Sequence, residues 1–337
     1  MIRTTDIDTQ GDLEKAFYSK PLYLSYSGLN KLLYSPNLFY KHYILQQKED
    51  KLDTYLIDGK VIHNMLLDDG SFDKSFILLP STLPTGNSRL VIDKIYNRVK
   101  EGPGLISDYK IEILDILKEI NLHQSLKTDE QRIAKIITEE TIVYFEFLKL
   151  KGKKDLIDGE TLQRCTEAVD VLKANNTVCN LLGTYQSQME NISLFNEIEL
   201  SATAVELGTP LNLKGIVDNI KIDKDAKVIY VNDLKTTGKT ISDFEETIEF
   251  YNYYLQAAIY MRLVKFVHKD ILNEDWKVIF NFIVIDKYNQ VYPFEVSTTT
   301  MAAWDVILMK RLEEAAWHYE NNKYSLPYKF ATSQVIL

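Results

Sequence analysis

Residues 193–296 alternate apolar runs with turn residues in an order that few folds accommodate. Strand-forming residues fill 193–205, 211–222 and 227–234, and turn residues such as Asp223-Lys224-Asp225 separate them. A helical pattern over 242–267 follows, then the strongly apolar run 277–285, a shorter run over 291–296 and a helical pattern over 298–321. Three strands, a helix and a further strand make an α/β core in which a helix packs on a sheet.

The first half reads differently. Met1–Asp8 is polar and acidic, so it is not a signal peptide, and 1–20 reads as a loosely ordered lead-in. A helix is expected from Leu24-Ser25-Tyr26-Ser27, with Ser25 or Ser27 as cap and Leu29, Leu32 and Leu33 as its apolar stripe. A second helix is expected over 54–67, with Gly59 and His63 one turn apart. Residues 80–89 are rich in breakers and read as a loop. From 90 to 184 the pattern is helical, with a basic break over 149–154 and a helix over 158–182. The resulting division is a helical region 1–190, a core 191–300 and a closing helix and tail 301–337, expected to fold together as one domain.

Chemistry concentrates in the core. Lys214-Gly-Ile-Val-Asp218 ends one expected strand segment, and Val231-Asn-Asp233-Leu-Lys235-Thr-Thr237 belongs to the next. Asp233 and Lys235 are two residues apart, so on a strand they share a face. A hairpin can bring Asp218 beside Asp233. Two carboxylates and a lysine can hold a hard divalent cation and activate a water, which points to phosphodiester cleavage. The doublet alone is weak. Asp-x-Lys occurs five times (Asp58-Lys60, Asp108-Lys110, Asp225-Lys227, Asp233-Lys235 and Asp275-Lys277), where roughly one or two copies are expected by chance. Only Asp233-Lys235 ends an apolar run and follows a strand with its own acid; the other four read as turns or surface ion pairs. Gln256 and Tyr260, four apart on the expected helix, share a face.

Composition narrows the options. A net charge of −9 argues against a protein that coats nucleic acid, though a local basic groove can engage a few phosphates. Five histidines make a histidine-rich zinc site unexpected. Two cysteines, Cys165 and Cys179, fit a reducing compartment and fall short of the four ligands an iron–sulfur cluster needs. No apolar run approaches the ~20 residues of a membrane span.

Five pieces in order, Gly59-Lys-Val-Ile-His63, Glu197 or Glu199, Gly215-Ile-Val-Asp218, Asp233-Leu-Lys235-Thr-Thr237 and Gln256-Ala-Ala-Ile-Tyr260, make the chain resemble the PD-(D/E)XK nuclease superfamily. Within it, the chain looks most like phage-type exonucleases related to exodeoxyribonuclease VIII and the RecB nuclease domain. Val217 stands where the family name records a proline. The resemblance implies a restriction-endonuclease-like core, a mixed central sheet flanked by helices, with a largely helical N-terminal half. It implies Mg²⁺ or Mn²⁺ held by Asp218, Asp233, the carbonyl of Leu234, His63 and either Glu197 or Glu199, with Glu197 slightly favoured. Lys235 would orient the attacking water or stabilise charge on the phosphate, and Gln256 and Tyr260 would flank the site.

Taken alone, His63 reads as a core histidine, Gln256 and Tyr260 equally well as a buried polar pair, and the tyrosines of 251–260 as core rather than a stacking platform. The resemblance further implies a 5′–3′ exonuclease on linear double-stranded DNA, a single-strand annealing recombinase as partner, a homo-oligomer, and the cytoplasm of a bacterial host. A single-strand- or structure-specific endonuclease and a non-catalytic DNA-end-binding protein are the alternatives.

Overall fold

The computed structural model describes residues 15–16, 18–47, 54–99, 102, 104–152, 154–186 and 189–336. Most of the expected lead-in, and Lys153 of the basic break, therefore lie outside the described residues. In chain order the first elements are β1 (Tyr23–Leu24), α1 (Tyr26–Tyr34), α2 (Thr54–Leu67), β2 (Phe76–Leu78), α3 (Gly86–Val99), α4 (Lys110–Glu119), α5 (Asp129–Ile136), α6 (Glu139–Lys151) and β3 (Asp155–Ile157). Then come α7 (Gly159–Ala174), α8 (Asn176–Leu182), β4 (Ile192–Ala202), β5 (Asn212–Asp223), β6 (Val228–Thr237), α9 (Phe244–Tyr251), α10 (Tyr253–Val267), β7 (Lys277–Asp286), β8 (Val291–Val296) and α11 (Thr298–Asn321).

The residues fall into two compact units, Met1–Gly59 with Leu66–Asp68 and Ala168–Leu337, and Lys60–Met65 with Asp69–Glu167. The first unit is a mixed α/β structure around a six-stranded sheet. Its strands run in the order β1-β5-β6-β7-β8, and β4 pairs with β5. The β4–β5, β5–β6 and β7–β8 pairs are antiparallel, and β6–β7 and β1–β5 are parallel. A parallel neighbour needs a crossover rather than a tight turn, and α9 and α10 supply it between β6 and β7. Helix α10 packs on β4, β5, β6 and β7, α11 packs on α10 and α1, and α8 packs on β5 and β6. Leu255, Ala257, Ile259 and Leu263 of α10 are buried with Val217, Ile220, Val231 and Phe282 in one apolar core. No helix among the described residues is long and apolar enough to cross a membrane.

The second unit is helical, with β2 and β3 as its parallel pair. Helices α3, α4, α5 and α6 bury Ile92, Ile95, Ile113, Ile116, Leu117, Ile136 and Phe145 against one another.

Three expected elements differ, and each difference has a local cause. The helix expected over 158–182 breaks at Asn175, whose side-chain oxygen accepts from the N–H groups of Thr177 and Val178, both at 3.1 Å, and so starts α8. The helix expected over 242–267 breaks at Asn252, which is left-handed with φ 56°, a conformation asparagine tolerates. The loop expected over 80–89 yields at Gly86 to α3. The cap of α1 is Ser25, which accepts from the Gly28 N–H.

One feature of the sheet sets the place of both core acids. The β5–β6 ladder starts at Asp223 with Val228 and stops at Asn219 with Asn232. Strand β6 runs on, still paired to β7, as far as Thr237. On that edge β5 finds a partner again only at Leu213 and Asn212, against β1. The two strands therefore part like a fork, and Asp218 and Asp233 stand at its opening.

Candidate active site

The next β5–β6 rung would join Asp218 to Asp233. Instead, the Asp218 carboxylate bridges the parted strands, its Oδ2 accepting the Leu234 N–H at 2.7 Å. Both acids are buried, Asp233 completely. A strand residue sends its N–H and C=O to the same edge, so the Leu234 carbonyl also faces the fork.

Glu197 completes the acid row from the other side. Rungs Asn196–Asn219 and Ile198–Val217 flank it, which sets it opposite Asp218. Its backbone is left-handed, with φ 47°, a conformation that costs a non-glycine residue about 1–3 kcal/mol and persists where the surroundings impose it. Carboxylate oxygens of Glu197 and Asp218 come within 4.8 Å of each other. Glu199 lies opposite Ile216 instead.

Lys235 forms an ion pair with Asp233, and its ammonium lies 4.7 Å from the centroid of the Tyr253 ring. Burial pushes the Lys235 pKa down, but the charges of Asp233 and Asp218 outweigh it and hold it above the ordinary lysine range. The ion pair does not fully satisfy the acid: apart from the Lys235 ammonium on Oδ2, no hydrogen-bond donor reaches either oxygen of Asp233 among the described residues. The contrast with other Asp-x-Lys copies is sharp. Lys60 pairs with Asp155 and Lys227 with Asp275, both on the surface, where such pairs contribute little.

Helix α10 brings Gln256 and Tyr260 to the same place. The Gln256 Nε2 donates to the Tyr260 hydroxyl at 3.0 Å, and both residues are buried. The Gln256 side-chain oxygen has no partner. Burial, then the charges of Asp233 and Asp218, push the Tyr260 phenol up, so it keeps its proton. Gly215 makes this approach possible, since a Cβ there would stand 2.7 Å from the Tyr260 ring.

A second row runs directly beside the acids. Asn281 donates to Asn232 at 2.9 Å, Asn232 to Asn219 at 2.7 Å and Asn219 to Asn196 at 2.7 Å, linking β7, β6, β5 and β4. Asn219 and Asn232 also donate to the carbonyls of Leu182 and Leu181 at the end of α8. Sequence reasoning missed this row. Its signal was present in the doublets Asn196-Glu197, Asp218-Asn219 and Asn232-Asp233, because asparagine is depleted in strands.

His63 lies on α2, within the Lys60–Met65 stretch of the second unit. The first-unit residues of that helix are anchored on either side of it. The Asn196 side chain donates to the Leu67 carbonyl at 2.9 Å. A Cβ on Gly59 would lie 3.1 Å from the Thr236 hydroxyl.

These donors fit a divalent cation. Carboxylate and carbonyl oxygens are the ligands that hard cations prefer, and the fully buried Asp233 has Lys235 alone where a buried carboxylate otherwise acquires several partners.

No family model matches this chain, and no curated protein does. Among solved structures, one similar chain is the crystal structure of a "Putative exonuclease" from Eubacterium rectale, at 12% identity and a TM-score of 0.45, covering 96% of this chain and 87% of that one. Another, named SSO0001, is 14% identical with a TM-score of 0.26, covering 83% of this chain and 90% of its own. Likeness at this level leaves the chemistry to be argued from the residues.

Proposed function

We propose that this protein is a metal-dependent nuclease that hydrolyses DNA phosphodiester bonds at the fork between β5 and β6. One observation carries the reading: Asp233 is fully buried, and Lys235 is the one polar partner that its carboxylate has among the described residues. Burying a charge without full compensation costs several kcal/mol, and a bound cation supplies the missing partner. Asp218, Asp233, Glu197 and the Leu234 carbonyl would hold Mg²⁺ or Mn²⁺. His63, which the order of the sequence motifs assigns to the same site, would complete the shell. When bound, the cation supplies Lewis acidity and a water of lowered pKa.

The remaining roles belong to the chain. Lys235, cationic and fixed over Tyr253, stabilises negative charge growing on a phosphate oxygen. Tyr260, kept protonated, offers a hydrogen-bond donor toward the same place, and Gln256 holds its hydroxyl. Asp218, through the Leu234 N–H, fixes the width of the fork. The finer assignment is a 5′–3′ exonuclease on linear duplex DNA, a homo-oligomer working with a single-strand annealing recombinase. It rests on the order of the sequence motifs.

The test is cleavage of end-labelled linear duplex DNA against a closed circle, with Mg²⁺, with EDTA and with Lys235→Ala. The expected outcome is metal-dependent loss of the linear substrate alone, absent in the variant. Cutting of the circle would make the enzyme an endonuclease. Absence of cleavage, with DNA still bound, would leave a binding protein.

A further inference from the structure

A line of aromatic rings leads out of this site to solvent. It begins at Tyr253, whose ring carries the Lys235 ammonium at 4.7 Å. Tyr253 stacks on Tyr251, with centroids 5.4 Å apart and planes 24° from parallel. Tyr251 meets Phe250 edge to face at 4.9 Å and 87°. The Lys239 ammonium lies 5.9 Å from the Phe250 ring. Exposure rises along the line: Tyr253 is half-buried, Tyr251 is 44% exposed and Phe250 73%.

The arrangement depends on the break between α9 and α10. Residues two apart on a helix do not face each other. Tyr251 and Tyr253 stack because Asn252 between them is left-handed, and that break is pinned. The Asn252 side chain donates to Asn30 Oδ1 at 2.7 Å and accepts from the Tyr254 hydroxyl at 2.7 Å. The Tyr251 carbonyl accepts from the Tyr26 hydroxyl and from Asn30 Nδ2. A rigid backbone thus presents two outer rings that the apolar core does not use.

We infer that this strip is a subsite for unpaired nucleobases of the strand being cut, an inference that rests on the nuclease reading of the adjoining fork. Base-on-aromatic stacking tolerates any base, since every base has a π-face. The strip ends at the lysine that would meet the phosphate, so a strand lying along it delivers its backbone to the fork. The charges nearby say which force dominates. Lys235 and Lys239 flank the rings, but Glu245, Glu246 and Glu249 stand exposed on the same helix. Phosphate neutralisation is therefore a small part of the affinity and stacking the larger, so the contribution of Phe250 should survive added salt. A duplex end would have to fray before its strand could engage.

The experiment measures binding of a fluorescein-labelled short oligothymidylate in EDTA, at low and high salt, to wild-type protein and to Phe250→Ala, Phe250→Leu and Phe250→Trp. Phe250→Ala should weaken binding roughly tenfold, by a similar factor at both salt concentrations. Phe250→Trp should restore it, and Phe250→Leu, apolar but without a π-face, should not. Equal affinity of wild type and Phe250→Ala would overturn the proposal, as would full rescue by leucine. A change of sedimentation in Phe250→Ala at unchanged affinity would also overturn it, by assigning the ring to a protein contact. Hydrolysis of bis(p-nitrophenyl) phosphate with Mn²⁺, a substrate too small to reach Phe250, should be the same in wild type and Phe250→Ala. If the wild type fails to hydrolyse both it and DNA, the nuclease reading falls, and the oligothymidylate result still decides the strip.

Discussion

The amide row Asn196–Asn219–Asn232–Asn281 and the acid row Glu197–Asp218–Asp233 cross the same strands one residue apart, under similar burial on β5 and β6. In the amide row each side chain hands a hydrogen bond to the next, and α8 carbonyls take up further donors. In the acid row a strand ladder is broken, a backbone is strained and a buried carboxylate has a single lysine as its partner. A saturated network rigidifies, whereas a partly satisfied one is costly unless something else completes it. The amide row therefore reads as the clamp that holds the strands at the mouth of the fork. The acid row is the part that the proposed cation would complete. The second unit sharpens the point: among its described residues the only buried side chains with a polar atom are those of Thr141, Tyr144 and Cys165.

Replacing the acids should break this contrast most visibly. In Asp233→Leu with Lys235→Met, DNA cleavage should fall by about 10³-fold or more. The apo protein should melt no lower than wild type, because exchanging a buried ion pair for apolar residues is often neutral or stabilising by about 1–4 kcal/mol. A large drop in melting temperature would mean that the acid row also holds the fold. The amide row should behave in the opposite way. Asn232→Ala leaves Asn219 Oδ1, the Leu181 carbonyl and an Asn281 amide hydrogen without partners, at a cost of about 3 kcal/mol. Urea unfolding measures this, and an unchanged midpoint would remove the clamp.

Gly215→Ala probes the seam between β5 and α10. Its Cβ would press on the Tyr260 ring, and overpacking of this kind costs about 1–3 kcal/mol. The cleavage rate should fall with it, since Tyr260 must shift; wild-type activity in a destabilised variant would take Tyr260 out of the machinery. The smallest effect concerns a polar group outside both rows. His318 is buried, and burial lowers its pKa despite the bond to the Lys323 carbonyl. The unfolded chain then takes up the proton first. Stability is full above the unfolded value of about 6.5 and declines as pH drops through it. His318→Gln should flatten that part of the profile of urea midpoint against pH.

Much of the first unit was readable in advance because its strands have distinct composition. Runs such as Val228–Val231 and Phe280–Val284 have no helical alternative that fits their length and branching. Residues Asp218, Asp233 and Lys235 were readable as a set because strand alternation fixes which side chains share a face. What alternation could not supply was the interruption of its own rule. Glu197 and Glu199 are equivalent in a regular strand and differ only because the backbone turns left-handed at one of them. The breaks at Asn175 and Asn252 were hidden for a related reason, since apolar spacing continues across both. Tyr251 reads from sequence as core, because a tyrosine-rich helix gives no warning that a kink will turn it outward.

The strained residue of the acid row has a bearing on how sequences of this kind should be compared. Local geometry at position 197 favours glycine or asparagine, and a chain selected for stability alone would drift toward one of them. Under the proposed function, glutamate there would be kept for its carboxylate against the preference of the backbone. If the proposed function holds, the residue at that position should separate, among chains sharing this fork, those that cleave DNA from those that share only the shape. A glycine there should accompany loss of the acids at 218 and 233, and a glutamate their retention.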